Sequence, residues 1–212
     1  MGRFSFLSAF RAVSARMVAG ITDLVLRVVD GQVQVFSATR AGGGILSLEM
    51  TQTGLRLLDQ QDLPSGHMLS APSELMFANV RGVDQLIWTG GWSSRMGGYS
   101  LSDSGQITAA FTFIRGPAGI VTAQTYATVG GVAYGIVATQ SSSLLEVWRM
   151  AANGRLVQTN TQETAGLGEQ QVEVRAMTTA TIGEETFILS LSTAEEALRV
   201  WSLDADGRLD VL

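Results

Sequence analysis

The chain has 212 residues, 46% of them apolar and only 16% charged, with a net charge of −5. That composition supplies a packed core, excludes wholesale disorder, and argues against nucleic-acid binding, which needs a basic face. Cysteine is absent, so disulfides and thiolate metal sites are excluded, and every cationic residue is an arginine. A surface this weakly charged suits a chain that works inside an assembly, or one whose loops are built of Ser, Thr, Gly and Gln.

Taken in chain order, the first element is residues 1–20. Their apolar stretch runs from Phe4 to Phe10 and stops at Arg11, which is short for the core of a signal peptide. An N-terminal arm, or a short amphipathic helix docked on the first repeat, is expected there. Short runs rich in Val, Ile, Leu, Thr and aromatics come next, and they read as strands. The first group is Asp23–Val29, Val33–Ala38, Ile45–Met50 and Leu55–Leu58; the second is Glu74–Val80, Gln85–Thr89, Gly98–Leu101 and Gln106–Phe113. The third is Gln124–Val129, Ala133–Thr139, Leu144–Met150 and Arg155–Asn160; the fourth is Val172–Thr178, Glu185–Ser190, Ala197–Leu203 and Arg208–Leu212. Within each group Asp30-Gly31, Arg81-Gly82, Gly130-Gly131 or Ile182-Gly183 separates the first two strands. Tyr134-Gly-Ile-Val-Ala138 is nearly continuous in apolar residues, as in a strand covered on both faces. Polar loops are expected at Thr39–Gly44, Gly90–Gly97, Gln140–Ser143 and Ser192–Glu196. Longer connectors are expected at Asp59–Ala71, Ile114–Thr122 and Thr161–Gln171.

One phrase marks the same place in every group. It reads Leu48-Glu-Met50-Thr-Gln-Thr-Gly54, Tyr99-Ser-Leu101-Ser-Asp-Ser-Gly105, Trp148-Arg-Met150-Ala-Ala-Asn-Gly154 and Trp201-Ser-Leu203-Asp-Ala-Asp-Gly207. The glycines recur about every fifty residues, a period typical of small units that need neighbours to bury their faces. Asn153-Gly154 and Asp206-Gly207 are strong hairpin signals, since tight turns need positive φ. Up-and-down strands repeated around an axis give an all-β fold, a β-propeller of four roughly 50-residue, four-stranded blades at about 21–63, 72–116, 123–164 and 172–212. Tyr99, Trp148 and Trp201 are expected to plug the space between adjacent sheets. A β-sandwich is the competing architecture, and four blades could also be part of a larger ring completed by oligomerisation.

Leu145-Glu-Val-Trp148-Arg-Met-Ala-Ala-Asn-Gly154-Arg-Leu and Ala197-Leu-Arg-Val-Trp201-Ser-Leu-Asp-Ala-Asp-Gly207-Arg-Leu resemble blade segments of lactonase-type propellers. Thr22-Asp-Leu with Gly42-Gly-Gly-Ile45 is similar to propeller-like regions at the start of some bacterial repeats-in-toxin proteins. The resemblance spans the four repeats and implies the fold and an extracellular or surface setting. It carries over no catalytic residue, and the calcium-binding nonapeptides of that toxin group do not occur here.

The sequence shows no catalytic set. His67, the only histidine, lies in a connector. Asp204-Ala-Asp206-Gly207 with Asp210 looks like a piece of a calcium loop, but the matching stretches share turn formers and not carboxylates, so a hairpin turn is the better reading. Metal and cofactor are therefore not expected. Trp88 and Trp92 straddle Gly90-Gly91 with Arg95 close by, and aromatics beside an arginine suit sugar or protein contact. These three are the candidate binding residues. The leading functional reading is a non-enzymatic module presenting loops to a protein or glycan, in an oligomer or larger secreted or surface assembly. A structural or attachment component of a virion is one alternative. A lactonase-like metal-dependent hydrolase drawing on Asp30, Asp84 and Glu173 is another.

Overall fold

The computed structural model describes residues 10, 20–39, 44–63, 74–90, 95–112, 119–140, 144–150, 156–163, 174–192 and 197–212. Every element in these ranges is a strand. The first blade holds β1 (Ile21–Val29), β2 (Gln32–Thr39), β3 (Gly44–Thr51) and β4 (Gly54–Asp62); the second holds β5 (Glu74–Val80), β6 (Val83–Gly90), β7 (Arg95–Leu101) and β8 (Ile107–Thr112). β9 (Val121–Val129), β10 (Val132–Thr139), β11 (Leu144–Met150) and β12 (Leu156–Glu163) make the third. β13 (Val174–Ile182), β14 (Glu185–Ser192), β15 (Ala197–Leu203) and β16 (Leu209–Val211) make the fourth. Each group is one antiparallel sheet with its strands in sequence order, and the whole is a four-bladed β-propeller.

Blade stacks on blade through the first strand of each: β1 packs against β5, β5 against β9 and β9 against β13. Three mixed clusters fill these seams. Phe36, Ala38 and Ile45 of the first blade meet Leu86, Trp88 and Tyr99 of the second. Met76, Ile87 and Met96 of the second meet Ala133 and Met150 of the third. Tyr134, Ile136 and Leu145 of the third meet Ile188, Trp201 and Leu209 of the fourth. Tyr99 and Trp201 thus do plug seams. Trp148 packs with Val121, Val137 and Leu156 of its own blade, its indole N–H donating to Glu146. β10 is covered on both faces from Ala133 to Thr139, as its continuous apolar run implies.

The recurring phrase is a latch between blades as well as a hairpin. In the turn, Gly105 N–H donates to Ser102 O and Gly207 N–H to Asp204 O. The side chain of the residue opening the turn completes it: Ser102 Oγ accepts from Gln106 N–H, and Asp204 Oδ1 accepts from the amides of Asp206 and Arg208. The aspartates of this stretch therefore serve a turn. The blade before reaches over to hold it. Gln34 Nε2 donates to Asp103 O at 2.8 Å, Ser47 Oγ to Gly105 O at 2.6 Å, and Tyr134 Oη to Ala205 O at 2.7 Å. Gly207 has φ near 80°, and a Cβ there would sit 2.7 Å from Tyr134 Cε1. Conformation and crowding both demand glycine.

Several boundaries differ from expectation. β4 runs on through Gln60, Gln61 and Asp62, and β12 through Thr161, Gln162 and Glu163, where the composition suggests connectors. These are outermost strands, and an edge open to solvent accommodates polar residues. Arg95, placed by sequence in a loop, opens β7 and pairs with Gly90. β13 extends to Ile182. Of the expected N-terminal arm, Phe10 lies among the described residues; it packs on Val35, Leu46 and Leu48 of the first blade. No helix among the described residues is long and apolar enough to cross a membrane.

Candidate interaction face

Alternating strand direction divides the molecule into two ends. The turns between first and second strands, and between third and fourth, lie together at one end. The other joints, at residues 40–43, 91–94, 141–143 and 193–196 and the connectors between blades, meet the sheets at the opposite end. The connectors between blades are the longest of these segments, and in repeat scaffolds function concentrates in such joints.

At the turn end a connected set of polar side chains holds successive blades together. Arg27 is buried; it donates to Gln34 Oε1, to Ser102 O at 2.6 Å and to Asp84 Oδ2 at 2.8 Å, and its guanidinium lies over the Phe36 ring. The other oxygen of Asp84 accepts from Asn79 Nδ2 at 2.6 Å. Asn79 continues the chain of bonds, its backbone N–H donating to Tyr126 Oη and its carbonyl accepting from the same hydroxyl. Arginine, aspartate, asparagine and tyrosine thereby link three blades in order. Sequence reasoning misses this network. Its one signal is Arg27 between Val25 and Val29 on one face of β1. Asp30, named with Asp84 as a hydrolase acid, sits in the first hairpin turn with φ near 50°. Glu173 lies outside the described residues. Among the described residues no group of three or more His, Cys, Asp or Glu could hold a metal ion.

At the loop end Asp23 ties the first strand of one blade to that of the next. Its Oδ2 accepts from Leu75 N–H at 2.6 Å and its Oδ1 from Leu24 N–H at 2.8 Å. Burial raises its pKa above the usual carboxylate value, and the two amides offset only part of that. Tyr99 Oη donates to Asp62 O at 3.0 Å, and burial, followed by the charge of Asp62, pushes the phenol up to about 12.

The three residues singled out by sequence fare differently. Trp88 is 1% exposed and lies in the seam between the first two blades, beside Leu75 and Leu86. It is a packing residue, because β6 turns the same face as Leu86 toward the first blade. The backbone of Arg95 fixes where residues 91–94 rejoin the sheet. Trp92 lies outside the described residues.

No protein-family model matches the sequence, and no curated protein matches it. Solved structures do share the fold. A protein from Lactobacillus plantarum superposes with a TM-score of 0.58 at 19% identity, over 84% of this chain and 53% of that one. A putative 6-phosphogluconolactonase from Bacteroides fragilis gives 0.56 at 14% identity, over 88% of this chain and 55% of that one. An alpha-L-arabinofuranosidase from Clostridium thermocellum gives 0.57 at 12% identity, over 89% of this chain and 71% of that one. The chain thus shares the β-propeller fold of these structures, the fold that its blade phrases imply. It spans about half the length of the first two.

Proposed function

We propose that this chain is a non-enzymatic propeller module that holds a glycan or a protein surface against its loop end, within a secreted or surface assembly. The observation that carries the reading is the division of labour between the ends. Arg27, Asp84, Asn79 and Tyr126 are spent on linking blades at the turn end, which leaves the variable joints of the loop end to meet a partner. A glycan is the favoured partner. Trp92 and Arg95 belong to the joint of the second blade, and an indole with a guanidinium suits the apolar face and hydroxyls of a sugar. The fold likeness to an arabinofuranosidase supports the same choice. A lactonase-like hydrolase is the rival, supported by the fold likeness to a putative lactonase. It would draw on Asp84, whose carboxylate is already engaged by Arg27 and Asn79.

Calorimetric titration with arabinose-, galactose- and xylose-based oligosaccharides tests the proposal. Binding is expected without turnover, and Trp92→Ala is expected to weaken it about tenfold, the loss of roughly 1.4 kcal/mol of contact. Release of a hydrolysed sugar or lactone, abolished by Asp84→Asn, would overturn the reading. So would an affinity unchanged in Trp92→Ala.

A further inference from the structure

The network from Arg27 to Tyr126 does not use up the turn end. At its rim a cleft of about 330 Å³ opens between the outer strands of the first blade and the β7–β8 turn of the second. The registers place its polar groups. Gln34 of β2 pairs with Glu49 of β3, and Glu49 with Arg56 of β4, so the three side chains stand in a row on the face turned to the second blade. Gln32, two residues before Gln34, shares that face. Glu49 is buried; its Oε2 accepts from Arg56 Nε at 2.8 Å and from Arg56 Nη2. Ser104 and Gln106, on either side of Gly105, form the opposite wall. Leu58, left out of the pairing where the register of β4 shifts, is the apolar floor; a Cβ on Gly105 would lie 2.6 Å from its Cδ1.

Two observations point to a ligand. The first is unspent hydrogen-bonding capacity on walls that are already fixed. Among the described residues, Glu49 Oε1, Arg56 Nη1 and the side-chain amides of Gln32 and Gln106 make no hydrogen bond. The walls do not depend on them, because Gln34 grips Asp103 O and Ser47 grips Gly105 O. The shape of the cleft is therefore set before anything enters it, which lowers the cost of binding. The second observation is that the set is not repeated. The residue equivalent to Glu49 is Ser100 in the second blade, Arg149 opposite Val157 in the third, and Ser202 opposite Asp210 in the fourth. A set that the scaffold required would recur, as the turn glycine does.

We propose that this cleft is a second binding site, separate from the loop end, for one or two residues of a neutral sugar. The charges of Glu49 and Arg56 cancel, so a charged ligand gains no net attraction from the pair. Two neighbouring hydroxyls do match it. One donates to Glu49 Oε1 and the next accepts from Arg56 Nη1, and each bond is strengthened by the charge on the protein atom. The carboxamides of Gln32 and Gln106 both donate and accept, as sugar hydroxyls do. Leu58 meets the C–H side of the ring. Ligand pockets run from roughly 300 to 1,000 Å³, so a cleft of about 330 Å³ admits a short saccharide and not a long chain.

Amide NMR of the labelled chain, titrated with the methyl glycosides of galactose, glucose and arabinose, tests this. At least one is expected to shift the amides of Glu49, Arg56 and Gln106, with saturation in the millimolar range. Glu49→Gln keeps the size of the side chain and removes its charge; it is expected to weaken binding about tenfold, a loss of roughly 1.4 kcal/mol. Gln106→Ala, at an exposed position that leaves the fold intact, is expected to weaken it about threefold. Trp92→Ala is expected to leave these shifts unchanged, so this site is read apart from the loop end. Acetate and free glutamine, a carboxylate and a zwitterion, are expected to shift none of the three amides. Amides that stay silent up to roughly 100 mM of every glycoside would overturn the proposal. So would shifts that persist in Glu49→Gln and Gln106→Ala combined, shifts lost in Trp92→Ala, or acetate or glutamine binding as well as the sugars.

Discussion

Trp201→Ala is expected to lower the unfolding free energy by about 3–5 kcal/mol, the cost of deleting a large buried aromatic and leaving its cavity. Trp201 is 1% exposed and is enclosed by residues of two blades, among them Tyr134, Ile136 and Leu145 from the third and Leu203 and Leu209 from the fourth. Its indole N–H also donates to Ser190 Oγ at 2.9 Å, so truncation strands a buried hydroxyl. Trp201→Phe retains most of the apolar body and loses only the donor; it is expected to cost less than half as much. The shift in denaturant midpoint at constant slope is the measurement. Because blades in an array depend on their neighbours, the loss is expected to fall first on the fourth blade. Amide exchange in β13 and β14 is expected to accelerate more than in β1 and β2.

Gly207→Ala is expected to cost about 2–4 kcal/mol, from two sources that a companion variant separates. A left-handed backbone costs a non-glycine residue roughly 1–2 kcal/mol, and overpacking adds roughly 1–3. At Gly207 φ is near 80° and the new Cβ would meet Tyr134 Cε1 at 2.7 Å and Thr159 Oγ1 at 2.8 Å. Gly183 has φ near 63°, but an added Cβ would find nothing within 4 Å, so Gly183→Ala carries only the backbone cost, about 1–2 kcal/mol. Thermal or denaturant unfolding of the pair gives the difference. A clear excess at Gly207 supports its role in the latch to the third blade; equal losses would reduce that glycine to an ordinary turn residue.

The repeat is legible because the demand for glycine is local and recurs. The glycine and the bulky residue six before it recur in each blade, so their signature survives while the rest of the sequence varies. Sequence shortens the outermost strands because Gln60-Gln61-Asp62 and Thr161-Gln162-Glu163 carry no apolar alternation; an exposed edge does not need it. Trp88 reads as a contact residue because a tryptophan beside paired glycines looks the same in sequence whether its face of the strand meets solvent or another blade. The link from Arg27 to Asp84 joins residues 57 apart in the chain, and no local pattern pairs them. Leu24, Leu26 and Val28 show the reverse case. Their apolar side chains would suit a buried face, yet all three are exposed.

The architecture depends above all on blade stacking on blade through their first strands, and the lack of cysteine permits a direct trial of it. Thr125 of β9 and Thr179 of β13 bring their hydroxyls within 3.0 Å across the seam between the third and fourth blades. In Thr125→Cys with Thr179→Cys, spontaneous formation of a disulfide within one chain, in the folded protein and with a raised melting temperature, is the predicted result. Two thiols that stay free in the folded state under oxidising conditions would contradict it.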